Sequence, residues 1–144
     1  MWASTGTIQP SDRNKKKNIN ILENKYVEFF KRLLPVSYQF KNGTSGRTHI
    51  GFISQDVEQA MFEVGITDLD FAGFCKDIKQ EFYLDENGNE CSKNVYDEDG
   101  NPVYEYSLRY DEFIALNTHM IQSCLNKLET LESRIEKLEK AMAK

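Results

Sequence analysis

From Ile114 onward, apolar side chains recur at alternating steps of three and four with no slip. Ile114, Ile121, Leu128, Ile135 and Met142 form one set; Asn117, Cys124, Leu131 and Leu138 form the other, and only Asn117 is not apolar. A repeat of about 3.5 residues keeps one stripe of a helix turned toward a partner along a supercoil. Written as a heptad, the first set occupies a and the second d, with Lys127–Glu132 and Arg134–Glu139 as oppositely charged g–e′ pairs. A chain with this ending needs a second helix to cover the stripe. Residues 113–144 are therefore expected to be a coiled-coil helix. Isoleucine at a with leucine at d leans toward two strands, and Asn117 serves as a register device in any oligomer.

What precedes the helix must be small. The chain has 144 residues, 40% hydrophobic and 28% charged, which suits one modest domain plus an extended helix. A net charge of −5 argues against a nucleic-acid surface. No run of about 20 apolar residues suggests a membrane span, and Met1–Gly6 has no signal-peptide hydrophobic region. Cys75, Cys91 and Cys124 lack metal-ligand spacing, and their odd number suggests free thiols in a reducing compartment. No metal or cofactor is expected. Residues 1–10 carry no charged side chain and end in Pro10, and read as an extended lead-in.

The expected fold class is α+β: a mixed helix and antiparallel-strand domain over 11–112, then the long helix. Asn18 or Asn20 is positioned to cap a first helix running to Leu34, because Ile19, Leu22, Tyr26, Phe29, Phe30 and Leu33 fall at helical spacing. Pro35 closes it. Val36–Phe40 and Thr48–Ile53 read as paired strands around the turn residues Asn42–Gly46. Gly51 then marks a close backbone approach or a bulge. Ser54 or Asp56 starts a second helix with Val57, Met61 and Val64 inward, stopped at Gly65. Residues 67–105 read as an insertion. Asp85–Asn89 and Asp97–Asn101 are turn signals twelve residues apart, so a small antiparallel meander is expected. Their Asp-x-Asn-Gly character also invites a calcium reading, but no terminal acidic ligand or flanking helices follow.

The polar stretch Ser11-Asp12-Arg13-Asn14-Lys15-Lys16-Lys17-Asn18-Ile19 sets a hydroxyl five residues ahead of an amine. A serine–lysine pair performs acyl chemistry without histidine or aspartate. The lysine must be neutral to take the proton, which a desolvated seat or cationic neighbours favour; Lys15 and Lys17 flank Lys16. From the residues alone, though, Ser-Asp before a helix is usually a cap or a turn, and the run Arg13, Lys15, Lys16 and Lys17 is usually a solvated face. Asp12 either orients the serine or caps. His49, inside a strand, reads as structural, and His119, at an f position, as solvated.

Ser-Asp-Arg-x-x-Lys-x-Asn-Ile resembles the opening of the intramolecular chaperone domains at the C-terminus of phage tailspikes and tail fibres, the endosialidase-type self-cleaving family (peptidase S74). His49-Ile50-Gly51-Phe52-Ile53-Ser54-Gln55-Asp56-Val57-Glu58 resembles a second family stretch, with Ser54 where alanine is usual. Tyr106-Ser107-Leu108-Arg109-Tyr110-Asp111-Glu112-Phe113-Ile114-Ala115-Leu116 resembles a third. The resemblance covers about residues 9 to 144 in the family's order. It implies a homotrimer, so that the coiled coil would be three-stranded, and an upstream tail fibre or tailspike as folding client. It implies self-cleavage between Pro10 and Ser11, with Ser11 as nucleophile and Lys16 as general base. The precursor would fold in the bacterial host cytoplasm and the domain would be released. Two other readings remain: an uncleaved trimeric tip of a fibre, or a host regulatory protein using the same module, as in the myelin-regulatory transcription-factor family.

Overall fold

The computed structural model describes residues 10–143. The lead-in expected over 1–10 therefore lies almost wholly outside the described residues. After a single 3-10 turn at Arg13–Lys15 come α1 (Asn24–Arg32), β1 (Val36–Tyr38), β2 (His49–Gly51), α2 (Ser54–Glu63), β3 (Phe74–Ile78), β4 (Gln80–Leu84), β5 (Glu90–Asn94), β6 (Tyr104–Leu108) and α3 (Glu112–Met142). This is the expected α+β domain ending in a long helix.

The first helix starts later than its apolar spacing suggests. Asn18 adopts φ 54°, and Asn20 Nδ2 donates to the Asn18 carbonyl at 3.2 Å. Asparagine side chains offer the backbone a competing partner here, and the chain stays non-helical to Glu23. Ile19 is consequently exposed, whereas Leu22, Tyr26, Phe29, Phe30 and Leu33 reach the core or its margin. β1 and β2 pair antiparallel, Val36 opposite Gly51 and Tyr38 opposite His49, a shorter ribbon than the alternation suggests.

The core is a cluster of aromatic edges. The Phe71 ring meets Phe29 at 5.3 Å and Phe113 at 5.1 Å, both edge-on; Phe113 also stacks on Phe52 at 5.2 Å. Val57 and Met61 of α2 close one side, and Leu116 of α3 another. Helix α3 thus uses Phe113, Leu116 and Met120, its buried residues, to seat on the domain.

Residues 67–105 do not form a meander. β3 pairs with β6, Phe74 opposite Leu108, as an outer stem, and β4 pairs with β5 as a separate hairpin. A minor hairpin closes with the bridge between Tyr96 and Pro102. The three arms meet in a ring of backbone bonds: Lys79 N–H to Val103 C=O, Val103 N–H to Val95 C=O, and Val95 N–H to Lys79 C=O, at 2.8, 3.0 and 2.8 Å. Phe71 and Phe74 are buried core residues. The part that stands clear of the core is therefore narrower than 67–105, about 79–103.

Candidate active site

Ser11 is brought to Lys16 by one short turn. Asp12 is extended and its carboxylate accepts from Asn14 N–H at 2.9 Å. Lys15 N–H then donates to Asp12 C=O, and Lys16 N–H to Arg13 C=O, both at 3.1 Å. This closes a turn of about three residues, after which Lys16 leaves in an extended conformation. Its Nζ reaches back to Ser11 Oγ at 2.7 Å. Asp12 acts on the turn as an N-cap; of the two roles left open for it, orienting the serine or capping, its carboxylate takes the cap. Ser11, Lys15, Lys16 and Lys17 are all exposed in the single chain.

The two other sequence stretches meet at Tyr110. The position of Gly51 has no room for a side chain: a Cβ there would come to 2.3 Å from the Tyr110 hydroxyl. That hydroxyl accepts from Phe52 N–H at 3.1 Å. The close approach expected at Gly51 is thus the insertion of a phenol from a residue far along the chain, a partner no local pattern identifies. Arg109 ties the same corner to the β3 entry, donating from its guanidinium to Ala72 C=O and from its N–H to Gly73 C=O, each at 2.9 Å.

His49 stacks on Tyr38 at 5.7 Å and meets Phe40 at 5.1 Å, a packing role. His119 is half-buried rather than solvated. The seam residues Ile114, Asn117, Ile121, Cys124, Leu128, Leu131, Ile135, Leu138 and Met142 are all exposed on the single chain. A stripe this long and apolar on one helix is a surface awaiting a partner.

The calcium reading of the two acidic turns finds a different use for the carboxylates. Asp85 Oδ1 accepts from Asn87 N–H and Asn89 N–H at 2.9 and 2.8 Å, and Oδ2 from Asn89 Nδ2 at 2.9 Å. Asp97 repeats this with Asp99 and Asn101. Gly88 and Gly100, at φ 80° and 82°, complete the turns. The hydrogen bond from the Asn89 side chain holds the Asp85 carboxyl below its ordinary value, and the Asn101 backbone N–H does the same first for Asp97. No group of three or more metal-ligating side chains gathers among the described residues. A cleft of about 530 Å³ lies between α2 and β3, lined by Glu58, Met61, Phe74, Lys76 and Arg109 among others. The Lys76–Glu58 ion pair at 2.7 Å spans it and holds the Lys76 ammonium above its ordinary value. Neither Ser11 nor Lys16 lines it.

Residues 11–66 match the model of the peptidase S74 family, described as the chaperone of endosialidase. A crystal structure described as that of a novel intramolecular chaperone matches with a TM-score of 0.60 at 22% identity, covering 81% of this chain and 99% of that one. The carboxy-terminal domain of the bacteriophage T5 L-shaped tail fibre with its intramolecular chaperone domain matches with a TM-score of 0.54 at 21% identity. That match covers 94% of this chain and 33% of the other, so this chain spans about a third of it. Likeness at these identities is likeness of fold. No curated protein matches the chain.

Proposed function

We propose that this chain, whose residues 11–66 carry the endosialidase-chaperone match, is an intramolecular chaperone for a phage tail fibre or tailspike running into Pro10. Three copies join along the α3 seam and hold three upstream chains in register. Residues 1–10 are the lead-in, 11–112 the chaperone body and 113–144 the clamp. Long-range strand pairing between separate chains is slow because loop closure must precede its reward. A clamp raises the effective concentration of the chains for one another. The apolar seam exposed on α3 supports this part of the reading.

The domain then releases itself, and the observation that carries this step is the 2.7 Å approach of Lys16 Nζ to Ser11 Oγ. With the amine neutral, the same contact runs the other way and Lys16 takes the hydroxyl proton. Ser11 Oγ attacks the Pro10 carbonyl carbon, the Pro10–Ser11 C–N bond breaks, and Lys16 returns the proton to the departing Ser11 nitrogen. Water hydrolyses the ester, leaving the Pro10 carboxylate and a chain that begins at Ser11. Attack from a neighbouring copy's serine follows the same proton path. Both side chains are water-exposed in one chain, so the desolvation that favours a neutral lysine must come from an assembled neighbour or from the client. Loss of the template leaves the fibre kinetically trapped.

Chaperoning is tested by expressing the upstream fibre with and without residues 11–144. The expected result is soluble, oligomeric fibre only with the domain present, and equally so with Ser11→Ala. Fibre that assembles as well without the domain refutes the chaperone role.

A further inference from the structure

The β4–β5 hairpin stands without cover. All five β4 residues are exposed, Phe82 at 76% and Leu84 at 66%. A lone two-stranded hairpin is marginal in water, and alternating apolar side chains on a strand are suited to facing another surface. Val95 N–H donates to Lys79 C=O and Asp85 N–H to Asn89 C=O. In the antiparallel alternation the odd-numbered residues therefore carry the ladder to β5. The backbone groups of Gln80, Phe82 and Leu84 point outward along an unpaired edge. Acidic side chains dominate this arm: Asp85, Glu86 and Glu90 surround the tip, while Glu81 is already bridged to Lys93 at 3.2 Å.

One segment of the same chain has the inverse character. Arg13, Lys15, Lys16 and Lys17 are followed by Ile19 and Ile21, which lie outside any helix or strand and are 53% and 89% exposed. Leu22 packs against the core instead. Laid antiparallel on β4, Ile21 falls opposite Phe82 and Ile19 opposite Leu84, and the basic residues Lys15 and Lys17, beyond the turn at Asn18, leave at the acidic tip of the hairpin. Apolar meets apolar along the paired stretch, and cations meet anions at its end.

We propose that Ile19–Ile21 of one copy adds as a strand to the free β4 edge of another copy, with Lys15 and Lys17 against the acidic hairpin tip. Main-chain bonds supply the binding, and the side-chain pairs set the register. Asn18, at φ 54°, turns the chain at the end of the paired stretch. The contact lays one copy's hairpin beside the segment that carries Ser11 and Lys16 in the next, a cover the single chain lacks. This inference rests on the assembly proposed above.

The test mixes two full-length variants, Ile19→Cys and Leu84→Cys, differently tagged and co-expressed, with Cys75, Cys91 and Cys124 changed to Ser in both. A short bis-maleimide joins thiols at the separation of directly opposed residues, about 5 Å between Cβ atoms. The expected result is a cross-linked pair carrying both tags, and little with Glu81→Cys, which points to the other face. Glu86→Lys lowers the yield, Lys17→Glu lowers it, and the two together restore it. No mixed-tag product from an assembly shown intact by sedimentation overturns this inference and leaves the assembly standing. A monomer by sedimentation overturns both. Protection of the hairpin found only with a fused fibre assigns the edge to another occupant and overturns it as well.

Discussion

Replacing Phe71 by alanine should be the costliest single truncation in residues 67–105. The ring is 7% exposed and is held edge-on by Phe29 and Phe113 at 5.3 and 5.1 Å. Phe→Ala in a core costs about 3–5 kcal/mol, more where the site cannot collapse. Here the walls are ring edges from α1 and α3, two helices fixed by their own packing, so about 4 kcal/mol is expected. Each aromatic pair accounts for about 1 kcal/mol of this beyond burial. Against a total stability of about 5–15 kcal/mol, the melting temperature should fall by about 10–15 °C. Phe82→Ala, in the same segment but 76% exposed, should cost less than about 0.5 kcal/mol. The assay is thermal unfolding followed by circular dichroism, at one fixed protein concentration because assembly couples to stability. Gly73→Ala is an independent probe, since the added Cβ would come to 2.3 Å from the Phe71 ring. If Phe71→Ala melts within a degree or two of Phe82→Ala, the aromatic cluster is not the core.

Replacing residues 80–102 by a short turn between Lys79 and Val103, whose backbones already bond at 2.8 Å, should leave an assembled protein by light scattering; a monomer or aggregate would show that the arms hold the fold. The Asp85 and Asp97 carboxyls are held below their ordinary 3.8, so the unfolded chain binds the proton more readily. Their contribution to the turns is complete above that value and is lost as pH falls through the depressed one; amide exchange of Asn89 and Asn101 should quicken only in that acid range, and Asp85→Ala should remove the dependence for Asn89. Asp12→Ala removes the cap on Asn14, which is worth about 1 kcal/mol, and should slow self-cleavage about fivefold. Asp12→Asn, also a good cap, should stay near the original rate with the same pH profile; equal loss in both would mean that the charge matters rather than the turn.

The long helix was legible because a repeat of three and four steps over 114–142 admits no strand and leaves no other seam. Its docking face was less so. Phe113, Leu116 and Met120 interleave with the seam at helical spacing, and the heptad masks them. Core residues Phe71 and Phe74 were hidden by their setting, a stretch dominated by turn signals in which two aromatics show no period. The first helix was extended too far back because Ile19 fits its stripe, while the preference of Asn18 and Asn20 for local bonds overrides that fit. Gly51 announced a close approach but not its partner. Type and spacing left the serine and lysine as one reading beside a capped, solvated basic stretch, and the resemblance of Ser11–Ile19 to the family's opening singled them out; that one capped turn brings them within hydrogen-bonding distance required the backbone path of residues 12–16.

Self-release is tested most directly by the intact mass of the chain made with a folded fibre fused ahead of Met1. The account predicts a fragment whose first residue is Ser11, and none from Ser11→Ala. Lys16→Ala and Lys16→Arg should both stay uncut while still assembling, because guanidinium keeps the charge but does not release its proton in this range. A Lys16→Arg chain cut before Ser11 at the original rate would contradict the account, and Lys16 would then be part of the solvated basic face.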